Sequence, residues 1–326
     1  MSVMTTAARP APHPAPIAEA PPVAPRRRSD RMAYLLVTPL VLVLALVLGV
    51  PLVRLFVVSL QTYGLDQLFG TRPAVWVGAE QYTKVLGSPL FWAALWRTLK
   101  FVMASVGITL VLGLLIAHLL PKLVKPVRIG LLLTLVTVWA MPPIIALPIW
   151  RWLIDQRFGV LNYLLFKIGV LPTRTFNWFA NPLTGWTVIT ATVVWGALPF
   201  IVIALHAAIA AVSAELVEAA RLDGAGAWKV FTTVTLPAIR PTLMIVTTLS
   251  IIWNYRVFSQ IWLLRDIGTN KEDYRTIGIW SYVESFGNKN WGYGAAISLI
   301  SVLLLGAISA FAVRSVLRST TGEGDR

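Results

Sequence analysis

The chain has 326 residues, of which 57% are hydrophobic and 13% are charged, with a mean hydropathy of +0.73 and a formal net charge of +14. A soluble domain usually carries about 25% charged residues, so the composition excludes an ordinary soluble protein and indicates an integral membrane protein. The absence of Cys excludes disulfides and thiolate zinc sites, and the basic excess is expected to serve membrane topology and lipid headgroups rather than nucleic acid.

The N-terminal segment is predicted to be a disordered cytoplasmic tail over residues 1–31, because residues 1–25 are rich in Ala and Pro and lack apolar periodicity. Arg26–Arg28 and Arg31 directly precede the apolar run Tyr34–Val53. A cleaved secretory signal is the competing interpretation, but the run is long for such a signal and no clear small-x-small cleavage site follows it. We therefore expect a retained first span with its N-terminus in the cytoplasm.

Five further apolar runs have the length of about 20 residues that a bilayer requires. The predicted second to sixth spans are Phe101–Leu120, Ile129–Trp150, Gly185–Ile209, Thr242–Leu264 and Trp291–Val313. The sequence therefore predicts an all-α polytopic membrane protein with six transmembrane helices. The predicted membrane domain covers residues 32–318, and residues 319–326 form a cytoplasmic C-terminal tail.

The orientation rests on basic residues that flank the spans. An even number of spans places both termini on one side, and the Arg cluster beside the first span makes that side cytoplasmic. The short basic loop with Lys122, Lys125 and Arg128 agrees with this orientation. The apolar run Phe158–Leu171 is short and contains Lys167, so we interpret it as an interfacial helix.

Motifs for catalysis are missing from the sequence. No Gly-Lys dipeptide occurs, so there is no phosphate-binding P-loop, and the three His residues lack metal-ligand spacing. Acidic residues are almost absent from the predicted spans, so a proton relay has few carriers. We predict no catalytic residue, no metal site and no cofactor bound by this chain. The energy for any active transport must then come from a partner.

The connection at residues 209–241 is the most informative segment outside the spans. Ser213 is a suitable N-cap for a helix in which the acidic Glu215 and Glu218 precede the basic Arg221. This order of charges matches the direction of a helix dipole. The segment is therefore predicted to begin with an amphipathic helix on the cytoplasmic face.

The second half of this segment combines small residues with helix breakers. Ala219-Ala220 allows close approach of another protein, and Gly224 and Gly226 interrupt the helix. A second short helix near Trp228–Val234 is predicted to end at Pro237. These features also fit an ordinary amphipathic connector, so the physical pattern alone leaves both interpretations open.

The order Glu218-Ala219-Ala220, Gly224 and Val234-x-Leu236-Pro237 resembles the signature of binding-protein-dependent transport permeases, in which Ile usually stands at Val234. The resemblance extends over about residues 32–318 and is strongest to the carbohydrate, maltose-type branch. The supporting stretches are Gly159-x-x-Asn162, Trp195-Gly196-x-x-Pro199 and Trp291–Ala296, and Trp253–Leu264 resembles permeases for amino-sugar disaccharides.

Two departures from the family pattern stand out. The family usually has Pro near Ser213, and its outer loop often reads Leu-Thr-Gly-Gly-Gly-Pro where this chain has Leu264–Gly268. The first departure bears on where the helix starts, and the second bears on contacts with the external binding protein.

The resemblance implies a type I ABC importer permease fold in a bacterial cell membrane. Its expected partners are a second homologous permease, two ATPase subunits that carry ATP and Mg, an extracytoplasmic sugar-binding protein and membrane lipid. The cargo is expected to be a di- or oligosaccharide. The residues expected to dock into the ATPase are Glu218, Ala219, Ala220, Asp223 and Gly224.

A sugar path is predicted from helical phase together with the same resemblance. Ser250, Trp253 and Asn254 share one face of the fifth span, and that face continues at i+7 and i+11 in Val257 and Ile261. An aromatic ring covers the C–H surface of a sugar and an amide pairs with its hydroxyls, although helix packing also fits each residue. The residues expected along the path are Gly196, Ala197, Phe200, Ser250, Trp253, Asn254 and Arg256.

Arg256 is predicted to lie inside the fifth span. A charge there costs several kcal/mol unless it is solvated or paired, so it is expected either to face the cavity or to snorkel toward the outer headgroups. The competing function classes are a secondary transporter that works without an ATPase partner and a membrane enzyme. The sequence shows neither repeated halves with intramembrane acids nor a convergent catalytic set.

Overall fold

The computed structural model describes residues 30–268 and 270–321. The described residues are mainly helical, and one short antiparallel hairpin pairs Gln61 with Trp76 and Thr62 with Val75. The chain divides into two units, Met1–Leu52 and Val53–Arg326. Residues 1–29 and 322–326, which hold most of the two predicted tails, lie outside the described residues.

The first predicted span is a long apolar helix. Helix α1 (Asp30–Leu44) passes through a π-helical turn at Ala45–Gly49 into helix α2 (Val50–Ser59). Within it, Tyr34–Ser59 is long and apolar enough to cross a membrane. A helix that is apolar on all sides is suited to surroundings of lipid or of other membrane helices.

The elements between the first and third spans are as follows: strand β1 (Gln61–Thr62), helix α3 (Leu65–Leu68), strand β2 (Val75–Trp76), helix α4 (Glu80–Gly87) and helix α5 (Pro89–Leu119). Helix α5 starts where Ser88 Oγ accepts a hydrogen bond from the Leu90 amide, 3.3 Å away, and Pro89 occupies the first helical position. Together with a 3₁₀ turn at Leu120–Lys122, it forms the second span.

The third predicted span is broken, which corrects the expectation of one continuous helix over Ile129–Trp150. Helix α6 (Lys125–Ala140) and helix α7 (Pro143–Leu153) meet at an angle of 107°. The cause is the pair Pro142-Pro143, because two successive residues without an N–H cannot continue the helical hydrogen bonds. The break turns the ends of both helices toward a cavity described below.

The chain then passes through a short helix into the central span. The apolar run Phe158–Leu171 contains only helix α8 (Val160–Lys167), whose eight residues are too few to cross a bilayer. Helix α9 (Pro182–Ala210) is the fourth span, and Asn181 caps it by accepting a 2.8 Å hydrogen bond from the Leu183 amide.

Helices α5 and α9 form the centre of the larger unit and pack along much of their length. The core around them is apolar and includes the buried residues Phe101, Val106, Val188, Ile189, Val193 and Tyr274. Lipid is as apolar as these side chains, so the association of α5 and α9 depends on close packing between them rather than on removal of apolar surface from water. The two helices thus form a rigid wall for the residues that line the cavity.

The remaining elements are helix α10 (Ala214–Leu222), helix α11 (Ala227–Val230), a π-helical turn (Phe231–Thr235), helix α12 (Leu236–Tyr255), helix α13 (Ser259–Arg265), a 3₁₀ turn (Lys271–Tyr274), helix α14 (Ile277–Tyr282), a π-helical turn (Val283–Gly287) and helix α15 (Trp291–Thr321). The predicted boundary between residues 318 and 319 falls inside α15. The fifth and sixth candidate spans are Ala227–Tyr255 and Trp291–Val316.

Two expectations about the fifth span are wrong. The helix that follows the turn does not end at Pro237. The π-helical turn directly before Pro237 shifts the pattern of backbone hydrogen bonds, so the helix continues although Pro237 has no N–H to donate. At its other end the helix stops at Tyr255 rather than near Leu264. Arg256 and Val257 donate to the carbonyls of Trp253 and Asn254, 3.2 Å away in both cases, which tightens and closes the last turn.

The described residues therefore contain six apolar segments suited to a membrane, five as continuous helices and the third as a bent pair. This confirms the predicted all-α polytopic class. The breaks in the third and fifth segments lie where the sequence predicted uninterrupted helices. Such breaks are tolerated at membrane depth only where protein or a cavity satisfies the backbone.

Candidate functional site

The segment at residues 209–241 folds as a helix, a turn and a second helix that continues into the fifth span. Helix α10 starts at the predicted N-cap Ser213, although the Ser213 side chain makes no capping hydrogen bond within the described chain. Glu215 lies in its first turn and Arg221 in its last turn, as expected. Both charges therefore interact favourably with the dipole of α10.

The turn after α10 has the geometry of a Schellman motif. The Gly224 amide donates to the Arg221 carbonyl and the Ala225 amide donates to the Ala220 carbonyl, both at 3.0 Å. Gly224 has a φ of +80°, a left-handed conformation that residues with a side chain adopt only under strain. The turn thus needs Gly at this position and fixes where α10 ends.

The surface of this helix–turn–helix is open and partly apolar. None of the nine residues of α10 is buried by the described chain. Leu222 is 89% exposed, Trp228 is 76% exposed and Leu216 is 59% exposed. Large exposed apolar side chains beside a charged helix mark a surface for another protein.

This surface is connected to the second span through aromatic contacts. The Phe231 ring packs on the Trp228 ring with centroids 5.7 Å apart. The same Phe231 ring meets the His118 ring edge-on at 5.4 Å, and His118 lies in the last turn of α5. Aromatic contacts therefore join the segment at residues 209–241 to the end of α5.

A second candidate site is a cavity of about 290 Å³ between the broken third segment, α9, the end of α12 and the start of α13. Its lining includes four Trp side chains together with the polar side chains of Thr192, Asn254 and Gln260, and none of the described lining residues is ionisable. The Trp residues are Trp139, Trp150, Trp195 and Trp253. The cavity is thus aromatic, uncharged and provided with a few hydrogen-bonding groups.

The structure brings four of the predicted path residues together in this cavity: Gly196, Ala197, Trp253 and Asn254. Phe200 lies behind them, with its ring edge-on to Trp253 at 5.0 Å. The Ser250 carbonyl accepts a 2.7 Å hydrogen bond from Asn254 Nδ2 and so orients the amide.

Arg256 occupies a different place from the one predicted. It is exposed at the C-terminal end of α12 rather than inside a continuous helix, and it does not contribute to the cavity lining. The predicted face that linked Ser250 to Ile261 is also interrupted, because Ile261 belongs to the separate helix α13 and is fully buried.

Asn254 has a polar atom that is buried and unused. The residue is 3% exposed, and its Oδ1 has no hydrogen-bond partner in the described chain. Such an orphaned acceptor is costly. Asn254 lines the cavity, but this oxygen is itself enclosed by protein, so a donor on a ligand reaches it only when the side chain or the cavity wall moves.

Sequence reasoning missed the wall formed by the third segment. Trp139 and Trp150 face the cavity because the helix breaks between them, and Gln260 reaches it because α12 ends before α13. The signal for the first break was present in the Pro142-Pro143 pair. No comparable signal marks the end of α12, since Arg256 and Val257 are compatible with a helix.

Broken membrane helices around a cavity are an arrangement that membrane transport proteins use at their binding sites. The chain belongs to the family of binding-protein-dependent transport system inner membrane components, which it matches over residues 109–321. This confirms the resemblance inferred from the sequence motif.

Relatives with stated functions extend the match to most of the chain. The diacetylchitobiose uptake system permease protein of Streptomyces coelicolor is 37% identical over 89% of this chain and 88% of its own length. The trehalose/maltose transport system permease protein of Thermococcus litoralis is 30% identical over 85% of this chain and 91% of its own.

A solved structure shares the fold. The crystal structure of a bacterial ABC transporter involved in import of the acidic polysaccharide alginate contains a chain that superposes with a TM-score of 0.74. The match covers 89% of this chain and 96% of that one at 21% identity. It confirms the architecture of an ABC importer permease.

Proposed function

We propose that this chain is one of two permease subunits of an ATP-driven importer in a bacterial cell membrane, and that it moves a di- or oligosaccharide delivered by an external binding protein. The observation that carries the proposal is the uncharged cavity with four Trp side chains and two amides. Aromatic rings cover the apolar faces of sugar rings while amides pair with hydroxyls. Relatives whose stated cargoes are diacetylchitobiose and trehalose or maltose support a sugar.

The orientation completes the proposal. Both termini and the connection at residues 209–241 face the cytoplasm, as the basic residues near the first and second spans indicate. The residues Glu218, Ala219, Ala220, Asp223 and Gly224 then dock into one of two ATPase subunits, which carry the ATP and Mg. The chain itself binds no cofactor.

The cargo of this chain is most consistent with an amino-sugar disaccharide. The relative named for diacetylchitobiose supports this class. The amides of Asn254 and Gln260 are neutral groups that both donate and accept, which suits acetamido groups as well as hydroxyls. The described lining offers no cation to neutralise an acidic sugar.

Purification and reconstitution test the proposal. The tagged chain, isolated from native membranes in mild detergent, should bring with it a second permease and an ATPase. In proteoliposomes this complex, with its binding protein, should accumulate diacetylchitobiose only when ATP is supplied. Sugar uptake by the purified chain alone would instead establish a secondary transporter.

A further inference from the structure

The motif Gly159-x-x-Asn162 has a structural role that the transport cavity does not explain. Gly159 closes a loop after α7, where its amide donates to the Asp155 carbonyl at 2.9 Å. A side chain at Gly159 would collide with the backbone of Leu153 and Asp155. The loop can therefore be this tight only with Gly at this position.

Asn162 fixes the same loop from the other side. It is 1% exposed, and its Nδ2 donates to the carbonyls of Asp155 at 3.1 Å and Phe176 at 2.8 Å. Its Oδ1 accepts from Trp178 Nε1 at 2.6 Å. One buried amide thus ties together three points of the connection between α7 and α9, which makes the loop rigid.

This rigid loop borders a polar pocket of about 230 Å³, which we name the Arg socket. Its polar lining consists of Arg151, Asp155, Gln156, Arg157 and Asn177. The socket lies apart from the transport cavity, since the two linings share no residue. Neither Arg151 nor Arg157 forms an ion pair with a carboxylate of the described residues.

The one acid in the socket is already engaged. Asp155 Oδ1 accepts hydrogen bonds from the backbone amides of Phe158 and Arg157, each at 2.8 Å, and these bonds lower the pKa of its carboxyl group. The positive charges of Arg157 and Arg151 lower this pKa further, so Asp155 is a fixed anion of the loop, although neither guanidinium group comes within ion-pair distance of it. A guanidinium group pairs best with a carboxylate in a bidentate geometry.

The net charge of the surrounding loop also favours an acidic partner. Residues 151–183 contain four basic residues and one acidic residue, whereas residues 265–291 contain four of each. With the orientation proposed above, both segments face the outside of the cell. Residues 61–97, the third segment assigned to that face, contain three basic and two acidic residues. The largest net positive charge of the three segments therefore lies in the one that carries the Arg socket, where it attracts an acidic partner.

We propose that the Arg socket receives an acidic side chain of the external binding protein and so helps to dock it on this subunit. This inference rests on the proposed function and orientation. Asn162 fixes the backbone of the loop, whereas the Arg151 and Arg157 side chains are exposed, so an acidic side chain on the surface of a protein partner can reach both guanidinium groups. The experiment must distinguish an acidic side chain of the binding protein from a lipid phosphate as the occupant of the socket.

The experiment uses the complete importer in nanodiscs and follows ATP hydrolysis while the sugar-loaded binding protein is titrated. Arg157→Glu should raise the half-saturating concentration of binding protein by about tenfold at low salt, which corresponds to about 1.4 kcal/mol. Added salt should weaken the wild type toward the variant. Asn162→Leu, which releases the loop but keeps both Arg residues, should shift the same parameter.

Arg174→Glu is the matched control. It makes the same change of charge in the same loop, but Arg174 lies over the Tyr163 ring at 5.2 Å and outside the socket. Equal shifts from Arg157→Glu and Arg174→Glu would overturn the proposal in favour of diffuse charge attraction. An Arg157→Glu effect that appears only in nanodiscs with anionic lipid would assign the socket to a lipid headgroup. If the wild-type complex were not stimulated by any binding protein, the proposed function itself would fail.

Discussion

The coupling segment at residues 209–241 and the transport cavity differ in how the chain builds them. The first site is one contiguous stretch whose helix α10 has no residue buried by the described chain. The second is assembled from the third segment, α9, α12 and α13, which are separated by many residues along the sequence. A surface site can thus be formed by one contiguous stretch of sequence, whereas a cavity depends on tertiary structure.

The two sites also use different chemistry. The coupling segment combines charged residues with exposed Leu and Trp, as a protein-docking surface requires. The cavity combines Trp with amides and excludes charge from its described lining. Changes in the first site should therefore affect the coupling of ATP hydrolysis to transport, and changes in the second should affect the sugar.

The largest expected effect is a difference in thiol labelling between the two faces of the membrane. The chain has no Cys, so single Cys residues can be introduced without background. Cys at Thr71 or Asn270, both exposed, should react fully with an impermeant thiol reagent in intact cells. Cys at Gly226, in the coupling segment, should react only after lysis. Labelling at Gly226 in intact cells would reverse the proposed orientation.

The next effect concerns the turn that ends α10. Gly224→Leu places a side chain at a φ of +80°, which costs about 1–2 kcal/mol and displaces the proposed docking surface. ATP-dependent uptake should fall by at least about tenfold, while insertion and abundance stay near normal. Sugar-stimulated ATP hydrolysis and co-purification of the ATPase measure the coupling.

Gly226→Ala is the control for this turn. Gly226 has an ordinary φ of −65°, and a methyl group added there meets no atom within 4 Å. It should therefore transport at the normal rate. Normal transport by Gly224→Leu as well would show that the ATPase docks elsewhere.

The coupling segment was predictable because its determinants are short-range. Charges, an N-cap position and a left-handed Gly are readable in about fifteen residues, and the structure has the helix bounds that they imply. The error there was also local, since Pro237 was expected to end a helix that a π-helical turn carries past it. A single Pro in the sequence does not indicate whether the residues before it form a π-helical turn that lets the helix continue.

The cavity was predictable only in part. Hydropathy located all six apolar segments, and motif position pointed to Gly196, Ala197, Trp253 and Asn254, which the fold brings together. The breaks that complete the lining were not found, because hydropathy measures apolar content and not helix continuity. Trp139 and Gln260 reach the cavity through those breaks.

A change in the aromatic wall should affect transport without affecting coupling. Trp253→Ala removes an aromatic side chain that is 44% exposed, lines the cavity and packs on Phe200. The loss is roughly 1–3 kcal/mol if the ring covers the sugar, so uptake should fall about tenfold at matched abundance. Basal ATP hydrolysis, measured alongside, tests whether coupling is retained.

Ile252→Ala is the control for the wall, since Ile252 is a neighbour on α12 that does not line the cavity. Its uptake should remain near that of the wild type. If Trp253→Ala and Ile252→Ala reduced uptake equally, Trp253 would serve helix packing rather than the sugar.

The smallest expected effect sharpens the role of the unused acceptor on Asn254. Asn254→Leu keeps a similar volume but removes both the orphaned Oδ1 and the 2.7 Å bond from Nδ2 to the Ser250 carbonyl. Removing an unsatisfied buried acceptor offsets the lost bond, so the thermal stability should change little. Uptake should fall about fivefold, since a sugar donor loses an acceptor that is worth about 1 kcal/mol.

Comparing the unfolding temperature with the uptake of Asn254→Leu distinguishes a role of Asn254 in cargo binding from a structural role. Asn254→Gln retains an amide but moves it by one methylene group, so it should restore part of the uptake if the amide contacts the sugar. A purely structural Asn254 would give the opposite pattern, in which Asn254→Leu lowers the unfolding temperature and uptake falls only in proportion to abundance. Loss of uptake at unchanged unfolding temperature therefore assigns the buried acceptor to the cargo, and it does so without any change at the coupling segment.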